Sequence, residues 1–402
     1  FGQARLLPSG GRGFHELMQS ERTSDATRDG GLLKLGTPIV GRILRDAVGS
    51  HAPGESRENH LRSAVDWLKR AAAASADNGV SYGYSVRGGW RPSYRETSGY
   101  IAVTFYDLEQ LGDAEAGRLA RSVSDWLCDI QEPDGSIANP QYRAGHGIVF
   151  DTGQVLLGYV RAYRETGEDR FRDAGARAAG WLANRLDEDG AWRKNTHLDN
   201  PHTYNTRVAW AMLELNDAAP DPAIEAAARR NLDWALTQEK NGYFETCAFE
   251  PNVAPFTHTI AYAIRGFQEA GRLLGDATYQ ATAVRTADAV LSHVQDDGFI
   301  PGQIDENGIA SVKYCCLTGN CQLAIIWLKL YEATGEKRYL EAAERSLGYV
   351  MRHQDIAASN PALRGAIKGS HPIWGRYAPL SYPNWATKFF IDAMLLWDRV
   401  DS

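Results

Sequence analysis

Two acidic residues, Glu96 and Asp151, stand at the beginnings of two helical segments that occupy equivalent places in the chain. Neighbouring helices pack about 8–10 Å apart, which would bring the two carboxyl groups into one site. Hydrolysis of a glycosidic bond commonly uses two carboxyl groups about 5–10 Å apart, one of them as the acid. We therefore predict Glu96 and Asp151 as the catalytic acid and base. The alternative is that both only cap their helices.

A second group of reactive side chains lies between Asp199 and Arg207, where His, Tyr, Asn and Arg occur within six residues. Such a density of acid–base groups at the start of a helix favours proton transfer and substrate binding. We predict His202 and Tyr204 as catalytic residues. Three further residues are predicted to bind substrate: Asn205, Arg207 and, from the next helix, His258. The alternative is a polar helix cap with Arg207 in an ion pair.

Aromatic and amide side chains are frequent in the long connecting segments and at the helix starts. Sugar rings stack on aromatic surfaces, and a few polar groups then orient them. The remaining predicted substrate-binding residues are Trp90, Asn320, Gln322, Trp374, Asn384 and Trp385. Basic residues share these segments and favour an acidic sugar over a neutral one: Arg87, Arg91, Arg95, Arg193, Lys194, Lys313, Lys368 and Arg376. Ordinary loop packing and solvation are the alternative for both sets.

A third pattern consists of Glu245 and Cys247 followed by the adjacent pair Cys315 and Cys316. Thiolates together with a carboxylate can bind zinc in a tetrahedral site. The order Glu-x-Cys…Cys-Cys resembles that of zinc-dependent β-L-arabinofuranosidases, in which one of the paired cysteines is the nucleophile. The resemblance implies zinc bound by these four residues. The alternative is that these residues are small buried side chains. The hydrolysis predicted from Glu96 and Asp151 requires no cofactor.

The elements that must position these residues form an internal repeat. Polar helix starts recur at intervals of 53, 54, 53, 60 and 66 residues, and the clearest copy is predicted to be capped by Asp151 or Thr152. These starts are at Ser98, Asp151, Asn205, His258, Thr318 and Asn384. Amphipathic segments with helical spacing alternate with them: Glu58–Ala74, Ala114–Gln131, Asp169–Leu186, Pro222–Gln238, Thr278–Gln295 and Lys337–His353.

Connections of two lengths alternate along this repeat. Short turns such as Thr166-Gly167-Glu168 follow the polar-start helices, whereas long segments follow the amphipathic helices, several of which end at Asn/Asp-Gly. The long segments therefore share one face with six helix N-termini, where a site for anionic groups is favoured. The repeated helix-turn resembles that of α/α toroids, a group that includes terpenoid cyclases, prenyltransferases and many polysaccharide-processing enzymes. This resemblance implies an all-α (α/α)6 barrel of six outer/inner helix pairs.

Within that group, the acidic helix starts resemble those of unsaturated glucuronyl hydrolases. The segment from Asp199 to Arg207 loosely resembles the His/Tyr/Asn/Arg sets of toroid polysaccharide lyases. Our first hypothesis is therefore a carbohydrate-active enzyme that hydrolyses an oligo- or polysaccharide containing uronic acid. The alternatives are a lyase or uronyl C5-epimerase that uses Tyr204 or His202, an isoprenoid enzyme, and a non-catalytic glycan-binding protein. The chain lacks the aspartate-rich runs that bind magnesium diphosphate, which disfavours the isoprenoid alternative.

Composition sets the remaining expectations. We predict an arm at residues 1–55, with one short helix at Pro38–Asp46, and a toroid catalytic domain at residues 56–402. The net charge of −7 disfavours nucleic acid and anionic membranes as partners. No apolar run reaches the roughly 18 residues of a membrane span. Five cysteines make a disulfide framework improbable and favour the cytoplasm. The chain begins with neither Met nor a signal-peptide core, so we expect that its natural start has been removed.

Overall fold

Six pairs of antiparallel helices form a double ring in the computed structural model, which describes residues 37–48, 54–140 and 146–401. A separate helix, α1 (Thr37–Val48), precedes the ring. The outer helices are α2 (Arg57–Ala73), α4 (Ala114–Asp129), α6 (Asp169–Ala183), α8 (Pro222–Leu236), α10 (Ala277–Leu291) and α12 (Lys337–Arg352). The inner helices are α3 (Arg95–Gln110), α5 (Val149–Thr166), α7 (Thr206–Ala218), α9 (Thr257–Leu274), α11 (Leu317–Thr334) and α13 (Asn384–Asp401).

The inner ring closes on itself, because each inner helix packs against the next and α13 packs against α3. The inner helices are buried on nearly all sides, as in α11, where every residue from 317 to 328 is buried. The outer helices bury one face only, as in α12, which buries Tyr339, Ala343, Leu347 and Val350 at helical spacing. The predicted (α/α)6 architecture is thereby confirmed.

Short strands and two 3₁₀ turns occur in the long connections at the rim where the inner helices begin. The strands are β1 (Gly83–Ser85), β2 (Gly89–Trp90), β3 (Glu239–Lys240), β4 (Tyr243–Phe244), β5 (Cys315–Cys316), β6 (Ser370–His371) and β7 (Ser381–Pro383). The 3₁₀ turns are His197–Asp199 and Thr203–Asn205. Strands β2, β1 and β7 form one antiparallel sheet, in which Tyr84 lies opposite Tyr382. This sheet joins the first long connection to the last and so closes the ring.

The start of α5 differs from the prediction that Asp151 or Thr152 caps it. The helix begins at Val149, and its N-cap residue, Ile148, makes no side-chain capping bond. Thr152 lies inside the first turn, where its hydroxyl donates to Ile148 O and accepts from Ile137 N. The cap prediction is therefore wrong, because main-chain carbonyl groups from the long connections take the place of capping side chains.

Five main-chain hydrogen bonds repeat this arrangement around the rim. In each, an N–H at or just before the start of an inner helix donates to a carbonyl in the connection that precedes the next inner helix. The pairs are Val149 to Asn195, Thr203 to Thr246, Thr257 to Gly302, Leu317 to Gly369 and Asn384 to Tyr82, at 2.8–3.1 Å. Because these bonds use N–H groups that the helices leave unpaired, they hold the long connections in register with the ring.

Glycine ends the turn after several outer helices, as the Asn/Asp-Gly pattern predicts. Gly298 has φ +84°, and a Cβ there would overlap the carbonyl oxygen of Arg345 on the next outer helix. Glycine with positive φ follows three other outer helices in the same way, at Gly135, Gly190 and Gly242. This position therefore requires glycine both for its backbone conformation and for its close contact.

Helix α1 confirms the short helix predicted in the arm. Arg42 makes a two-pronged ion pair with Asp355, and Asp46 accepts from Lys368 Nζ at 2.6 Å and from Ile373 N at 2.7 Å. The arm helix is thus tied to the long connection between α12 and α13. The boundary at residue 55 stays a prediction, and residues 1–36 lie outside the described residues.

All five cysteines are unpaired, in agreement with the expectation of no disulfide framework. Across the described helices, none combines the length and the apolar character needed to cross a bilayer.

Candidate active site

A cavity opens at the rim where the inner helices begin, and we call it the upper cavity. Seven of the predicted site residues line it: Glu96, Asp151, His202, Tyr204, Asn205, His258 and Trp385. The other lining residues are Tyr82, Tyr94, Tyr100, Asn139, Ile148, Phe150, Thr196, His197, Phe249, Tyr262, Tyr377 and Ala378. The wall is therefore largely aromatic, with a few polar groups, as is typical of a site for a small ligand.

Glu96 and Asp151 lie in the first turns of the adjacent inner helices α3 and α5. Tyr94 OH donates to Glu96 Oε2 at 2.9 Å, and Asn139 Nδ2 donates to Asp151 Oδ2 at 3.1 Å. Neither carboxyl group caps its helix, since the N-cap residues are Tyr94 and Ile148. Each carboxyl group is thus oriented by one neutral donor inside the same cavity.

The protonation of the two carboxyl groups is linked. Burial raises the pKa of Glu96 well above its usual value, and the charge of Asp151 raises it further, against the hydrogen bond from Tyr94. Burial raises the pKa of Asp151 to about 7, against the hydrogen bond from Asn139. Two carboxyl groups in one low-dielectric site resist ionising together. Glu96 therefore keeps its proton at a pH where Asp151 ionises.

His202 and Tyr204 stack against each other, with ring centroids 4.6 Å apart. The two ring nitrogens of His202 lie 3.0 Å from Ala248 O and 2.9 Å from His197 O. Burial lowers the pKa of His202 to about 4, although both carbonyl groups oppose this. A neutral imidazole donates to one of these carbonyl groups, so His202 holds the main chain of the rim and supports the Tyr204 ring.

His258 lies in the first turn of α9, between the rings of Tyr262 and Tyr377 at centroid distances of 4.4 and 4.9 Å. Gln322 is predicted to bind substrate, but it does not line the upper cavity. Its Nε2 lies 3.1 Å from His258 Nδ1, and it therefore positions His258. Burial lowers the pKa of His258 well below its usual value. In the same cavity, the side-chain oxygen of Asn205 is buried without a hydrogen-bond partner in the described part of the chain. These neutral groups suit hydroxyl and carboxylate oxygens of a sugar.

Four other predicted substrate-binding residues lie outside the upper cavity. Trp90 packs its ring on Trp67 at a centroid distance of 5.4 Å, and Trp374 is 46% exposed. Asn384 donates to Ser81 O at 2.7 Å and to Thr97 Oγ1 at 2.8 Å, and it therefore fastens the last inner helix to the first. Asn320 donates to Gly298 O at 3.1 Å. Both asparagines donate to main-chain carbonyl groups. A polar residue at a helix start can have this structural role or can bind a ligand, and the sequence pattern does not distinguish the two.

Arg207 is also placed differently from the prediction, because it does not line the upper cavity. It lies beneath the floor of that cavity, 4% exposed, and its Nε donates to Gln154 Oε1 at 2.6 Å. Its guanidinium group is surrounded by aromatic rings, including Tyr262 at 4.8 Å and Trp210 at 4.9 Å from the ring centroids. Its atoms line a second cavity at the opposite rim.

The predicted zinc ligands do not form a metal site. No group of three or more His, Cys, Asp or Glu side chains that could hold a metal occurs among the residues that the structure describes. Glu245 forms an ion pair with Lys240, and Cys315 Sγ donates to Asn320 Oδ1 at 3.0 Å. Burial raises the pKa of both Cys247 and Cys316 to about 12. The three cysteines are buried, in agreement with the alternative of small buried side chains, whereas Glu245 is partly exposed.

The sequence patterns missed several residues that line the upper cavity, among them Asn139, Thr196, His197 and Tyr262. Tyr262 follows His258 by four residues, so the helical period could have placed it on the same face. Asn139 and His197 lie in long connections, where no periodic signal indicates the direction of a side chain.

Residues 123–319 match the family described as Ulvan lyase N-terminal domain. This match includes Asp151, the segment from His202 to Arg207, and His258. Among curated protein sequences, no match to the chain is found.

Three solved structures with the same fold are those of carbohydrate-active enzymes. A heparin-specific unsaturated glucuronyl hydrolase is 15% identical, with a TM-score of 0.68 over 86% of this chain and 97% of its own. The unsaturated glucuronyl hydrolase of Bacillus sp. GL1 is 15% identical, with a TM-score of 0.65 over 85% and 96%. The cellobiose 2-epimerase of Bacillus thermoamylovorans is 11% identical, with a TM-score of 0.64 over 90% and 100%. At these identities the comparison establishes the fold, and the resemblance to (α/α)6 toroid carbohydrate-active enzymes is confirmed.

Proposed function

We propose that this protein is a glycoside hydrolase that cleaves an oligo- or polysaccharide containing uronic acid. The observation that carries the proposal is the pair of buried carboxyl groups, Glu96 and Asp151, in one aromatic-walled cavity. Environments that separate the protonation of two carboxyl groups are characteristic of acid–base pairs in catalysis. The match to the Ulvan lyase N-terminal domain and the fold shared with glucuronyl hydrolases support a uronic-acid substrate.

In the proposed reaction, Glu96 acts as the general acid and Asp151 as the general base. Glu96 donates its proton to the glycosidic oxygen as the bond to the anomeric carbon breaks. Asp151 accepts a proton from the water molecule whose oxygen bonds to that carbon. Tyr94 and Asn139 keep the two carboxyl groups oriented through the hydrogen bonds described above.

Recognition of the uronate in this proposal relies on neutral donors, since Arg207 lies below the floor. The imidazole of His258 and the amide of Asn205 line the cavity and are suited to bind sugar hydroxyl or carboxylate oxygens. Trp385 supplies an aromatic face whose indole N–H is already bonded to Tyr377 OH at 2.7 Å, so its ring is held in place for stacking.

The test uses Glu96→Gln and Asp151→Asn with a panel of uronic-acid oligosaccharides, followed by mass spectrometry of the products. We expect each variant to lower kcat by about 100-fold or more, because each loses one proton-transfer step. Asp125→Asn is the matched control, since Asp125 lies on an outer helix in an exposed ion pair with Arg170. Each cleavage should add one water to the products. Full activity in both site variants would refute the proposed roles.

Elimination by a lyase is the second candidate. It is favoured by the family match and by Tyr204, which lies in the same cavity with its ring stacked on His202. In that case Tyr204 would transfer the proton, the product would carry an unsaturated uronate that absorbs in the near ultraviolet, and no water would be added. Tyr204→Phe would then abolish the absorbance gain, while Asp125→Asn would retain it.

A further inference from the structure

A second cavity opens at the opposite rim of the toroid, where the inner helices end, and we call it the lower cavity. Four cationic side chains from four inner helices, α7, α9, α11 and α13, line it: Arg207, Arg265, Lys329 and Lys388. Tyr100 lines both cavities, so a thin layer of side chains separates the two. Neither Glu96 nor Asp151 lines the lower cavity.

Among the described residues, these four cationic side chains share two carboxylate partners. Glu269 accepts from Arg265 at 2.8 Å, lies 3.0 Å from Lys329 Nζ, and also binds Arg272 outside the cavity at 2.8 Å. Lys388 pairs with Asp392. Arg207 has no carboxylate within 4.0 Å among the described residues, although it is 4% exposed. Two carboxylates, those of Glu269 and Asp392, therefore face four lining cations.

The other charges that line this cavity balance one another. Arg161 pairs with Asp107 at 2.6 Å, and Arg164 pairs with Glu214 at 2.6 Å. Arg399 pairs with Glu332 and Asp398 with Arg57, at 3.0 and 3.5 Å. These pairs lie towards the ends of the inner helices, where cations also offset the partial negative charge of the last carbonyl groups. The excess positive charge is thus confined to Arg207, Arg265, Lys329 and Lys388.

Neighbouring cations contribute to lowering the pKa of the two lysines. Burial lowers the pKa of Lys329, and the neighbouring Arg265 lowers it further against the attraction of Glu269. Burial also lowers the pKa of Lys388, and Arg207 adds to this against the attraction of Asp392. A bound anion would raise the pKa of both lysines, because an opposite charge stabilises the protonated amines.

We propose that the lower cavity is a binding site for a small oxyanion, sulfate or phosphate, held by Arg207, Arg265, Lys329 and Lys388. Guanidinium groups present paired N–H donors that match the oxygens of such anions. The ring cage around Arg207 and its bond to Gln154 fix one guanidinium group before an anion arrives, which lowers the entropic cost of binding.

Isothermal titration calorimetry of the purified chain tests this site with sodium sulfate and sodium phosphate at constant ionic strength, against sodium chloride. We expect saturable binding of one sulfate or phosphate per chain. Sodium glucuronate tests whether a sugar carboxylate is the preferred ligand instead. Saturation by glucuronate alone, or no heat beyond that of chloride, would overturn the proposal.

Two arginines on α9 provide a matched pair of variants. Arg265 and Arg272 both bind Glu269, but only Arg265 lines the lower cavity. Arg265→Gln should weaken sulfate binding by about tenfold or more, and Arg272→Gln should leave it unchanged. Lys329→Gln serves as a second site variant if Arg265→Gln does not fold, as judged by far-ultraviolet circular dichroism. Equal binding by the cavity variant and Arg272→Gln would overturn the assignment.

Discussion

Glu96 and Asp151 share a cavity but differ in what surrounds them. Glu96 is buried beside the charge of Asp151 and accepts from a phenol, whereas Asp151 accepts from the amide of Asn139. Burial acts on both, so the difference in protonation arises from the neighbouring charge and the hydrogen bonds. The roles of acid and base in the proposed reaction follow from this difference.

Activity should therefore follow a bell-shaped dependence on pH. The base Asp151 must be ionised, so kcat/KM should rise as the pH passes through about 7, the pKa of this residue. It should fall again at higher pH, where Glu96 loses the proton that it must donate. The pH profile of kcat/KM on the cleaved oligosaccharide measures both limbs.

Asn139→Ala tests whether the ionisation of Asp151 causes the rise of kcat/KM on the acidic side of the pH profile, which we call the acidic limb. The Asn139 amide stabilises the ionised form of Asp151, so its removal should raise the pKa of Asp151 and move the limb by about 0.5–1 pH unit upward. Asn216→Ala is the control, because Asn216 contacts Glu225 and Asp221 at the other rim. A limb that stays in place or moves to lower pH in Asn139→Ala would contradict the role of Asp151.

At the scale of helices and turns, the long connections are held by the ends of the helices that they cover. The first N–H groups of the inner helices bond to neighbouring connections, and glycine turns bring those connections against the next outer helix. These contacts allow side chains of irregular segments, such as Asn139 and His197, to reach the upper cavity. The rim is therefore a continuous structure in which each connection depends on its neighbour.

Gly298→Ala should lower the free energy of unfolding by about 2 kcal/mol or more. The fold requires a left-handed backbone conformation at residue 298, which alanine disfavours, and the added methyl group would overlap Arg345 O. Both effects destabilise the folded state. Urea denaturation followed by circular dichroism measures the change. Gly180→Ala is the control, since a Cβ at Gly180 in α6 meets no neighbouring atom within 4 Å and should be neutral or slightly stabilising. Equal stability of the two variants would contradict this account.

At the scale of the whole molecule, buried ion pairs join the arm helix α1 to the connection before the last inner helix. Asp46 is 8% exposed and is surrounded by Arg42, Lys368 and His371. Burial raises the pKa of Asp46, but the His371 imidazole, whose Nδ1 lies 3.6 Å from Asp46 Oδ2, and the charges of Lys368 and Arg42 outweigh it and hold that pKa well below its usual value. The ionised form of Asp46 therefore stabilises the attachment of the arm.

Asp46→Asn should lower the free energy of unfolding by about 3 kcal/mol at pH 7, because buried cations lose their partner. The contribution of an acid with a lowered pKa is complete above the unfolded pKa of about 4 and is lost as the pH falls below it. The difference between the variant and the original chain should therefore narrow below about pH 4. Denaturation at several pH values measures it. Asp401→Asn removes an exposed ion pair with Arg57 and should cost about 1 kcal/mol or less.

The sequence by itself determined the ring of helix pairs and the rim at which the upper cavity opens. Helical periodicity and glycine turns are local properties, so the chain carries them whatever its tertiary contacts are. They were sufficient to place Glu96, Asp151, Tyr204 and His258 at one mouth.

Only the tertiary structure decided which side chains line that mouth. Arg207 is three residues from Tyr204, yet it lies below the floor, because the depth and rotation of an inner helix depend on its packing against two neighbours. Asn139 reaches Asp151 through the path of an irregular connection, and the residues that resemble zinc ligands do not form a group of three or more that could hold a metal in the described part of the chain. Spacing along a chain predicts the face of a helix, whereas contact between side chains depends on the positions of all the elements around them.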